Sequence, residues 1–293
     1  MDILILGGSG QLGQTVYREL KNNFQTISFS KSQLSITNKK ELRNAISKFR
    51  PKFIINCSAY TKVELAETEI EKANAVNHIG IKNICEIAQL NNIGLIHFST
   101  DYVFDGKKQS SYLEEDKAAP INEYGTSKLK GENHIIKNCD KFFIFRVSGI
   151  FSEYGDNFVK AMMRLKDRDE LSVVSDQIMK PSSASFIAKF ISINLLKNNF
   201  TLPNVGLYHL ASSGLGISWF NFAKLIFQEM VEQKLIMQSP KISPILSENY
   251  ESSVIRPKFS VLSNDKVKEK FILLHGDYRK NLAEELNRIY QSL

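Results

Sequence analysis

The sequence Tyr-Gly-Thr-Ser-Lys places a phenol, Tyr124, and an amine, Lys128, four residues apart. On a helix, this spacing brings both side chains to one face, about one turn apart. An unperturbed tyrosine has a pKa of about 10 and is a poor acid–base group near neutral pH. A neighbouring ammonium group favours the phenolate and lowers that pKa. The pair therefore indicates acid–base chemistry, although the same spacing is common by chance on solvated helices.

A second set of polar residues follows the apolar run Leu95–Phe98. This run predicts a buried strand, and Ser99, Thr100 and Asp101 come at its carboxyl end. Ligands of open parallel sheets bind at the carboxyl ends of the strands. The hydroxyl of Ser99 or Thr100 could donate a hydrogen bond to a substrate carbonyl there. The competing interpretation is that Thr100 caps the turn that follows.

Gly7 and Gly10 follow the apolar strand Ile3–Leu6, and Gly13 lies in the first turn of a predicted helix that begins at Gln11. Glycine allows a sharp turn and a close approach of a pyrophosphate, and the helix N-terminus offers it free N–H groups. The pattern predicts a dinucleotide-binding turn. A tight turn without a ligand is the alternative.

The end of the second predicted strand, Thr26–Phe29, bears on the choice of cofactor. A carboxylate there usually binds the ribose hydroxyl of NAD, whereas basic groups accommodate a 2′-phosphate. Ser30 and Lys31 follow the strand, and the position carries no carboxylate. NADPH is therefore favoured, with NADH as the other possibility. Lys31 is also compatible with an ordinary solvated loop.

Strands and amphipathic helices alternate along the first half of the chain, which predicts an α/β fold with a doubly wound, Rossmann-type parallel sheet. We expect an NAD(P)-binding domain over residues 1–150. Residues 151–293 are expected to form a smaller α/β substrate-binding region, part of which returns to the first domain. Within it, Gln238–Pro257 is predicted to be irregular because serine and proline interrupt it.

Composition and charge limit the classes of molecule that the chain is expected to bind. The chain has 293 residues, 43% of them hydrophobic, and a net charge of +7. The charges are dispersed, which favours a phosphorylated small molecule over nucleic acid. Its three cysteines and five histidines show no metal-binding spacing, so no metal site is predicted. No apolar stretch approaches the roughly 18–20 residues that span a bilayer, so no membrane association is predicted and a cytoplasmic location is expected.

Several longer strings resemble the dTDP-4-dehydrorhamnose reductase family of extended short-chain dehydrogenases/reductases. The most specific is Ser-Thr-Asp-Tyr-Val-Phe-Asp-Gly at 99–106, and the others lie at 56–64, 115–116, 120–132, 157–159, 176–181 and 256–262. The resemblance therefore covers nearly the whole chain.

This resemblance implies the reduction of the 4-keto group of a dTDP-linked 6-deoxy-hexulose by NADPH, a step of surface polysaccharide biosynthesis. Tyr124 would donate the proton, and Thr100 would polarise the carbonyl. Lys128 would tune Tyr124 and hold the nicotinamide ribose. Asp101 would contact the sugar, and Arg256 would face the nucleotide diphosphate. A homodimer is also possible.

The resemblance further implies a set of residues that line the cofactor. It matches Gly10, Gln11 and Leu12 to the pyrophosphate turn. The remaining positions are Ser30, Ser35, Ile36, Ala59, Tyr60 and Thr61, together with Tyr124 and Lys128.

The sequence departs from the family pattern in three respects. Gly149 stands where the family usually has a tryptophan against the sugar, and Met179 and Lys180 replace small residues. An acidic residue common near Ser35 is also absent. The first two departures leave open a reductase of another nucleotide sugar, and the missing tryptophan leaves open a non-catalytic NADP-binding regulatory subunit. The carboxylate of Asp101 beside Thr100 leaves open a nucleotide-sugar epimerase or dehydratase of the same superfamily.

Overall fold

The structure, a computed structural model, describes residues 1–198, 204–273 and 276–292. The strands are β1 (Ile3–Leu6), β2 (Thr26–Phe29), β3 (Phe53–Asn56), β4 (Gly94–Thr100), β5 (Phe142–Val147), β6 (Ile150–Phe151), β7 (Glu170–Val174), β8 (Ile178–Met179), β9 (Ser182–Ser183), β10 (Gly206–His209), β11 (Ile217–Ser218) and β12 (Lys241–Ile245). The α-helices are α1 (Gln11–Leu20), α2 (Lys39–Phe49), α3 (Val63–Ala66), α4 (Ile70–Asn74), α5 (Ile81–Leu90), α6 (Glu123–Asn138), α7 (Phe158–Arg164), α8 (Ala184–Asn198), α9 (Trp219–Glu232), α10 (Asp265–Lys270) and α11 (Tyr278–Gln291).

Six parallel strands form the central sheet in the order β2-β1-β3-β4-β5-β10. The strand order reverses between β1 and β3, which is where open α/β sheets bind their ligands. Helices cover both faces, and this confirms the predicted doubly wound α/β fold. Because both faces are covered, β1 is apolar at all four positions and fully buried.

Alternate residues of β1 point into two separate hydrophobic cores. Ile3 and Ile5 pack with residues of α1 and α8 on one face. Leu4 and Leu6 pack with residues of α2 and α5 on the other. The cores hold the sheet between two helical layers, and because its strands are parallel, their carboxyl ends share one edge.

The sequence pattern predicts a helix over Ser127–Asn138, whereas α6, which carries Tyr124 and Lys128, begins at Glu123, four residues earlier. Asn122 explains the earlier start, because its side chain accepts a hydrogen bond from the Gly125 N–H at 2.8 Å. Tyr124 therefore lies in the first turn of the helix. The tyrosine and the lysine share one helix, as the spacing predicted.

The second half of the chain contributes to the sheet and also forms a core of its own. Strand β10 adds to the sheet beside β5, while Phe222 and Phe227 of α9 lie in a core with residues of α7 and α11. The domain boundary at residue 150 stays a prediction. Among the described residues, no helix is long and apolar enough to cross a membrane.

The prediction of irregular structure over Gln238–Pro257 is wrong for residues 241–245. These form β12, which pairs in parallel with β7 in a sheet of two strands. Pro244 interrupted the sequence pattern, but a proline is tolerated in an edge strand, where its missing N–H leaves no partner unpaired.

A buried ion pair fastens α6 to the sheet. Arg146 of β5 donates through Nε and Nη2 to the two carboxylate oxygens of Glu132, at 3.0 and 2.7 Å. Both residues are almost completely buried, and the guanidinium also lies 5.0 Å from the centre of the Phe104 ring. The bidentate geometry satisfies both charges inside the protein.

We expect Arg146→Met to lower the free energy of unfolding by about 3–5 kcal/mol, because it leaves the Glu132 carboxylate buried without its cation. Urea denaturation measures this loss. The matched control is Arg164→Met, which removes an exposed partner of Asp156 and should cost no more than about 1 kcal/mol. Equal losses in the two variants would contradict the importance of the buried pair.

Candidate functional site

A cavity of about 730 Å³, called the main cavity below, lies at the carboxyl edge of the sheet. Residues that follow β1, β3, β4 and β5 line it together with α6. Nine of the predicted site residues are among the lining: Gly10, Gln11, Leu12, Ala59, Thr61, Thr100, Asp101, Tyr124 and Lys128. The fold therefore brings together the turn, the strand end and the helix that the sequence singled out separately.

The turn between β1 and α1 has the geometry of an anion site. Gly7 has a φ of +80°, and a Cβ on Gly13 would lie 2.2 Å from the carbonyl oxygen of Gly7. Helix α1 starts after Gly10 without a side-chain cap and without an acidic residue in its first turn. Its N–H groups and the positive end of its dipole are therefore suited to a pyrophosphate. These residues fit a dinucleotide.

The loop after β2 carries hydroxyl donors at the place where a ribose phosphate is expected. The N–H and the hydroxyl of Ser30 both donate to Oε1 of Gln33, at 2.9 and 3.0 Å. Ser30 lines a second cavity, of about 530 Å³, with Gly8 and Ser9 of the glycine turn. Lys31 is exposed beside it. No carboxylate competes within this loop, which fits a 2′-phosphate.

Three of the other predicted cofactor residues face elsewhere and lie outside the lining of both cavities. The Tyr60 hydroxyl donates to Glu69 at 2.7 Å, and this hydrogen bond raises the pKa of Tyr60 to about 12. Ser35 bonds with the Thr37 hydroxyl at 2.8 Å, and Ile36 is buried in the core beneath α5. Their assignment to the cofactor stays a prediction.

Thr100 both caps the turn that follows β4 and faces the cavity. Its Oγ1 accepts the Tyr102 N–H at 3.1 Å, which caps the following turn, and it also lines the cavity. The same hydroxyl donates to Oδ1 of Asp101 at 3.2 Å. Capping and carbonyl polarisation are therefore not exclusive, because the cap uses a lone pair and the polarisation uses the hydroxyl hydrogen.

Asp101 is a buried carboxylate held by hydroxyl groups. Its Oδ2 accepts from Ser148 and from Ser260, both at 2.6 Å. Burial raises the pKa of Asp101, and the three hydroxyl hydrogen bonds oppose this shift. The sequence strings contained Ser260 but gave it no role, and Ser148 carried no signal, because 47 and 159 residues separate these serines from Asp101.

Lys128 is buried against the end of β4. Its Nζ donates to the carbonyl oxygen of Phe98 at 2.7 Å and lies 3.4 Å from Nε2 of His97. The other ring nitrogen of His97 is 3.0 Å from the Asn56 amide nitrogen. Burial lowers the pKa of Lys128 to about 8. The sequence places His97 in a predicted buried strand, which favours a core residue over a metal ligand, and its burial confirms this.

The predicted direction of the Tyr124 pKa is wrong in this arrangement. Burial raises the pKa of Tyr124 to about 12, and hydrogen bonding with Thr100 offsets only part of the shift. The spacing of Tyr124 and Lys128 suggested a lowered value, but the Lys128 ammonium is directed to the backbone of β4. Tyr124 is therefore protonated near neutral pH, as a proton donor must be.

An apolar wall stands beside the cavity near Gly149. This glycine has a φ of +51°, and a Cβ there would lie 3.2 Å from Sδ of Met179. The ring of Trp219, at the start of α9, packs 4.5 Å from Phe158 and also lines the cavity. The sequence predicts that Trp219 packs between helices, and its contact with Phe158 of α7 confirms this. The same ring also faces the cavity. Lys180, in contrast, points to the carbonyl oxygen of Leu262.

Arg256 lies next to the main cavity rather than in its lining. It pairs with the Glu64 carboxylate through Nη2, and its Nη1 donates to Ser252 at 2.9 Å. It lines two neighbouring cavities, of about 1060 and 320 Å³. Its predicted role toward a diphosphate stays a prediction.

Residues 1–291 match a family described as the RmlD substrate binding domain. The chain belongs to this family. A dTDP-4-dehydrorhamnose reductase of Aggregatibacter actinomycetemcomitans is 38% identical over 285 residues, which cover 96% of each chain. The resemblance to the dTDP-4-dehydrorhamnose reductase family, inferred from the sequence, is thereby confirmed.

Solved structures agree with this membership. A dTDP-4-dehydrorhamnose reductase from Bacillus anthracis, solved in complex with NADP, superposes with a TM-score of 0.89 at 35% identity and covers 98% of this chain and 99% of its own. A UDP-glucose 4-epimerase from Thermus thermophilus, with a TM-score of 0.79 at 14% identity, covers 100% of both chains. The second likeness concerns the fold that the RmlD family shares with epimerases.

We expect Lys31→Ala to weaken NADPH binding by about twofold to fivefold, the range of one exposed ion pair. NADH binding should not change, because NADH lacks the 2′-phosphate. Fluorescence titration measures both affinities. Lys40→Ala, in the exposed first turn of α2, is the matched control for loss of one positive charge. Equal weakening of both cofactors would contradict a 2′-phosphate contact.

Proposed function

We propose that the chain reduces the 4-keto group of dTDP-4-dehydro-L-rhamnose with NADPH and forms dTDP-L-rhamnose. The observation that carries the proposal is one cavity that joins the glycine turn to Thr100, Tyr124 and Lys128. The names of the relatives and the NADP complex of the Bacillus anthracis structure support the substrate and the cofactor. A homodimer and a cytoplasmic location stay predictions.

Within this proposal, the glycine turn and the N-terminus of α1 hold the pyrophosphate, and Ser30 with Lys31 hold the ribose phosphate. NADPH, when bound, supplies the hydride that reduces C4. Thr100 turns its hydroxyl hydrogen from Asp101 to the sugar oxygen and polarises the carbonyl. Tyr124, whose phenol is protonated at neutral pH, gives its proton to that oxygen as the alkoxide forms.

Two roles follow for the remaining buried groups. Lys128 in its ammonium form, held by the carbonyl oxygen of Phe98, offers a further hydrogen to the nicotinamide ribose, while its tuning of Tyr124 stays a prediction. Asp101 accepts hydrogen bonds from Ser148 and Ser260 and so fixes the segment that carries Thr100. Its oxygens are engaged by hydroxyl groups, which favours a positioning role over the free acid that a dehydratase needs.

The test is NADPH oxidation, followed by absorbance, with dTDP-4-dehydro-L-rhamnose and with the glucose-configured 4-keto sugar. We expect turnover of the first alone. Tyr124→Phe should lower kcat by roughly 10²–10⁴-fold with unchanged NADPH affinity, because it removes only the proton donor. Tyr290→Phe, in α11, is the control.

Turnover of neither sugar by a protein that binds NADPH would refute the proposed substrate. It would favour another nucleotide sugar or a regulatory subunit. Full activity of Tyr124→Phe would refute the assigned proton donor.

The pH dependence follows from Lys128, whose pKa is lowered to about 8. The side chain carries its charge below this pH and loses it above. We therefore expect kcat to fall as the pH rises through about 8. In Lys128→Arg, the residual activity should lose this alkaline fall, because a guanidinium stays charged until about pH 12 or above. An unchanged pH profile in that variant would assign the fall to a different group.

A further inference from the structure

Glu64 and Arg256 form an ion pair beside the main cavity, between segments 192 residues apart in the sequence. Their neighbours in the chain, Val63 and Pro257, line the cavity itself. The Arg256 side chain is 18% exposed, whereas that of Glu64 is 51% exposed. The pair thus joins the short helix α3 to the loop before residue 257 at the edge of the cavity.

Arg256 lines two cavities next to the main one. One is a groove, here called the basic groove, in which the cations Lys107, Lys108, Arg256 and Lys258 outnumber the carboxylates Asp105, Asp176 and Glu248, and the other is smaller and mostly apolar. Gln177 lines both of these and the main cavity as well. A nucleotide sugar whose sugar reaches Tyr124 therefore has a route past Gln177 into either of the two cavities that Arg256 lines.

The guanidinium of Arg256 presents two donors to acceptors at this junction. One donates to Glu64 and the other to the Ser252 hydroxyl. A planar fork of this kind matches a diphosphate, which carries more charge and more acceptor oxygens than one carboxylate. The lysines of the basic groove have carboxylate partners of their own in Asp105, Asp116 and Asp176. Among these carboxylates, Glu64 is the most exposed, at 51% of its side chain. Its partner Arg256, at 18%, is the least exposed of the four cations.

We propose that Glu64 occupies the position on Arg256 that the diphosphate of the substrate takes, so that binding exchanges one anion for the other. This inference rests on the proposed nucleotide-sugar substrate. Glu64 is then a specificity residue. Ligands without a diphosphate do not displace it, and a diphosphate binds more weakly than it would to a free arginine, because only the unpaired fraction of Arg256 is competent.

The probes are dTDP, thymidine and inorganic pyrophosphate, each titrated calorimetrically into the NADPH-loaded protein. We expect Glu64→Gln to tighten dTDP binding by about twofold to fivefold, the range of a solvent-exposed ion pair. Thymidine binding should not change. Arg256→Gln should weaken dTDP binding, and adding Glu64→Gln to that variant should have no further effect, since no cation remains to be released.

Glu71→Gln is the matched control, because it removes one negative charge from the exposed surface of the neighbouring helix α4. Equal tightening by this variant would overturn the proposal in favour of general electrostatics. Weaker dTDP binding by Glu64→Gln would overturn it too, because Glu64 would then help to hold the ligand or orient Arg256.

Pyrophosphate separates this inference from the proposed function. If dTDP does not bind but pyrophosphate does, and Glu64→Gln tightens pyrophosphate binding, the exchange stands and the substrate assignment fails. If neither anion binds the wild-type protein, the exchange is refuted as well.

Discussion

The contact between the Lys128 ammonium and the carbonyl oxygen of Phe98 fixes α6 to the carboxyl end of β4. This constraint sets the position of Tyr124 one turn earlier in the helix, directly above Thr100 in the same cavity. The buried pair of Glu132 and Arg146 fastens the next turn to β5. Three successive turns of one helix therefore carry a phenol, an amine and a carboxylate, and two of these are anchored in the sheet.

Burial gives these groups their chemical character. Burial disfavours the charged forms of Lys128 and Tyr124, so their pKa values move apart, to about 8 and about 12. The sequence spacing predicted which two groups act together but gave the wrong direction for tyrosine. A spacing along a helix shows that two side chains share a face. It does not show that the amine finds a carbonyl oxygen of the adjacent strand, nor how deeply both are buried.

Local patterns were sufficient for the fold. The glycine turn and the strands β1 and β2 lie where periodicity and punctuation placed them, because parallel strands with helices on both faces leave strong signals. The hydrogen bonds that hold Asp101 and the apolar wall around Gly149 left no signal in the local sequence. They depend on side chains such as Ser148, Ser260 and Trp219, which meet only after distant segments have packed. The early start of α6 was a local signal, the Asn122 cap, which the sequence interpretation overlooked.

Gly149, which stands where the family pattern has a tryptophan, is surrounded by Met179 and Pro181. Met179 lies so close to Gly149 that a side chain there would meet its sulfur and the Cα of Pro181. The site thus has a flexible thioether on this side, and an indole, Trp219, reaches the cavity from α9. Methionine adapts its shape to what it contacts. An apolar wall built this way keeps a surface for the sugar ring, while the backbone at Gly149 stays free to adopt a positive φ. The absence of a tryptophan at position 149 therefore does not by itself argue against a reductase, because Met179 and Trp219, from two other elements, both line the cavity.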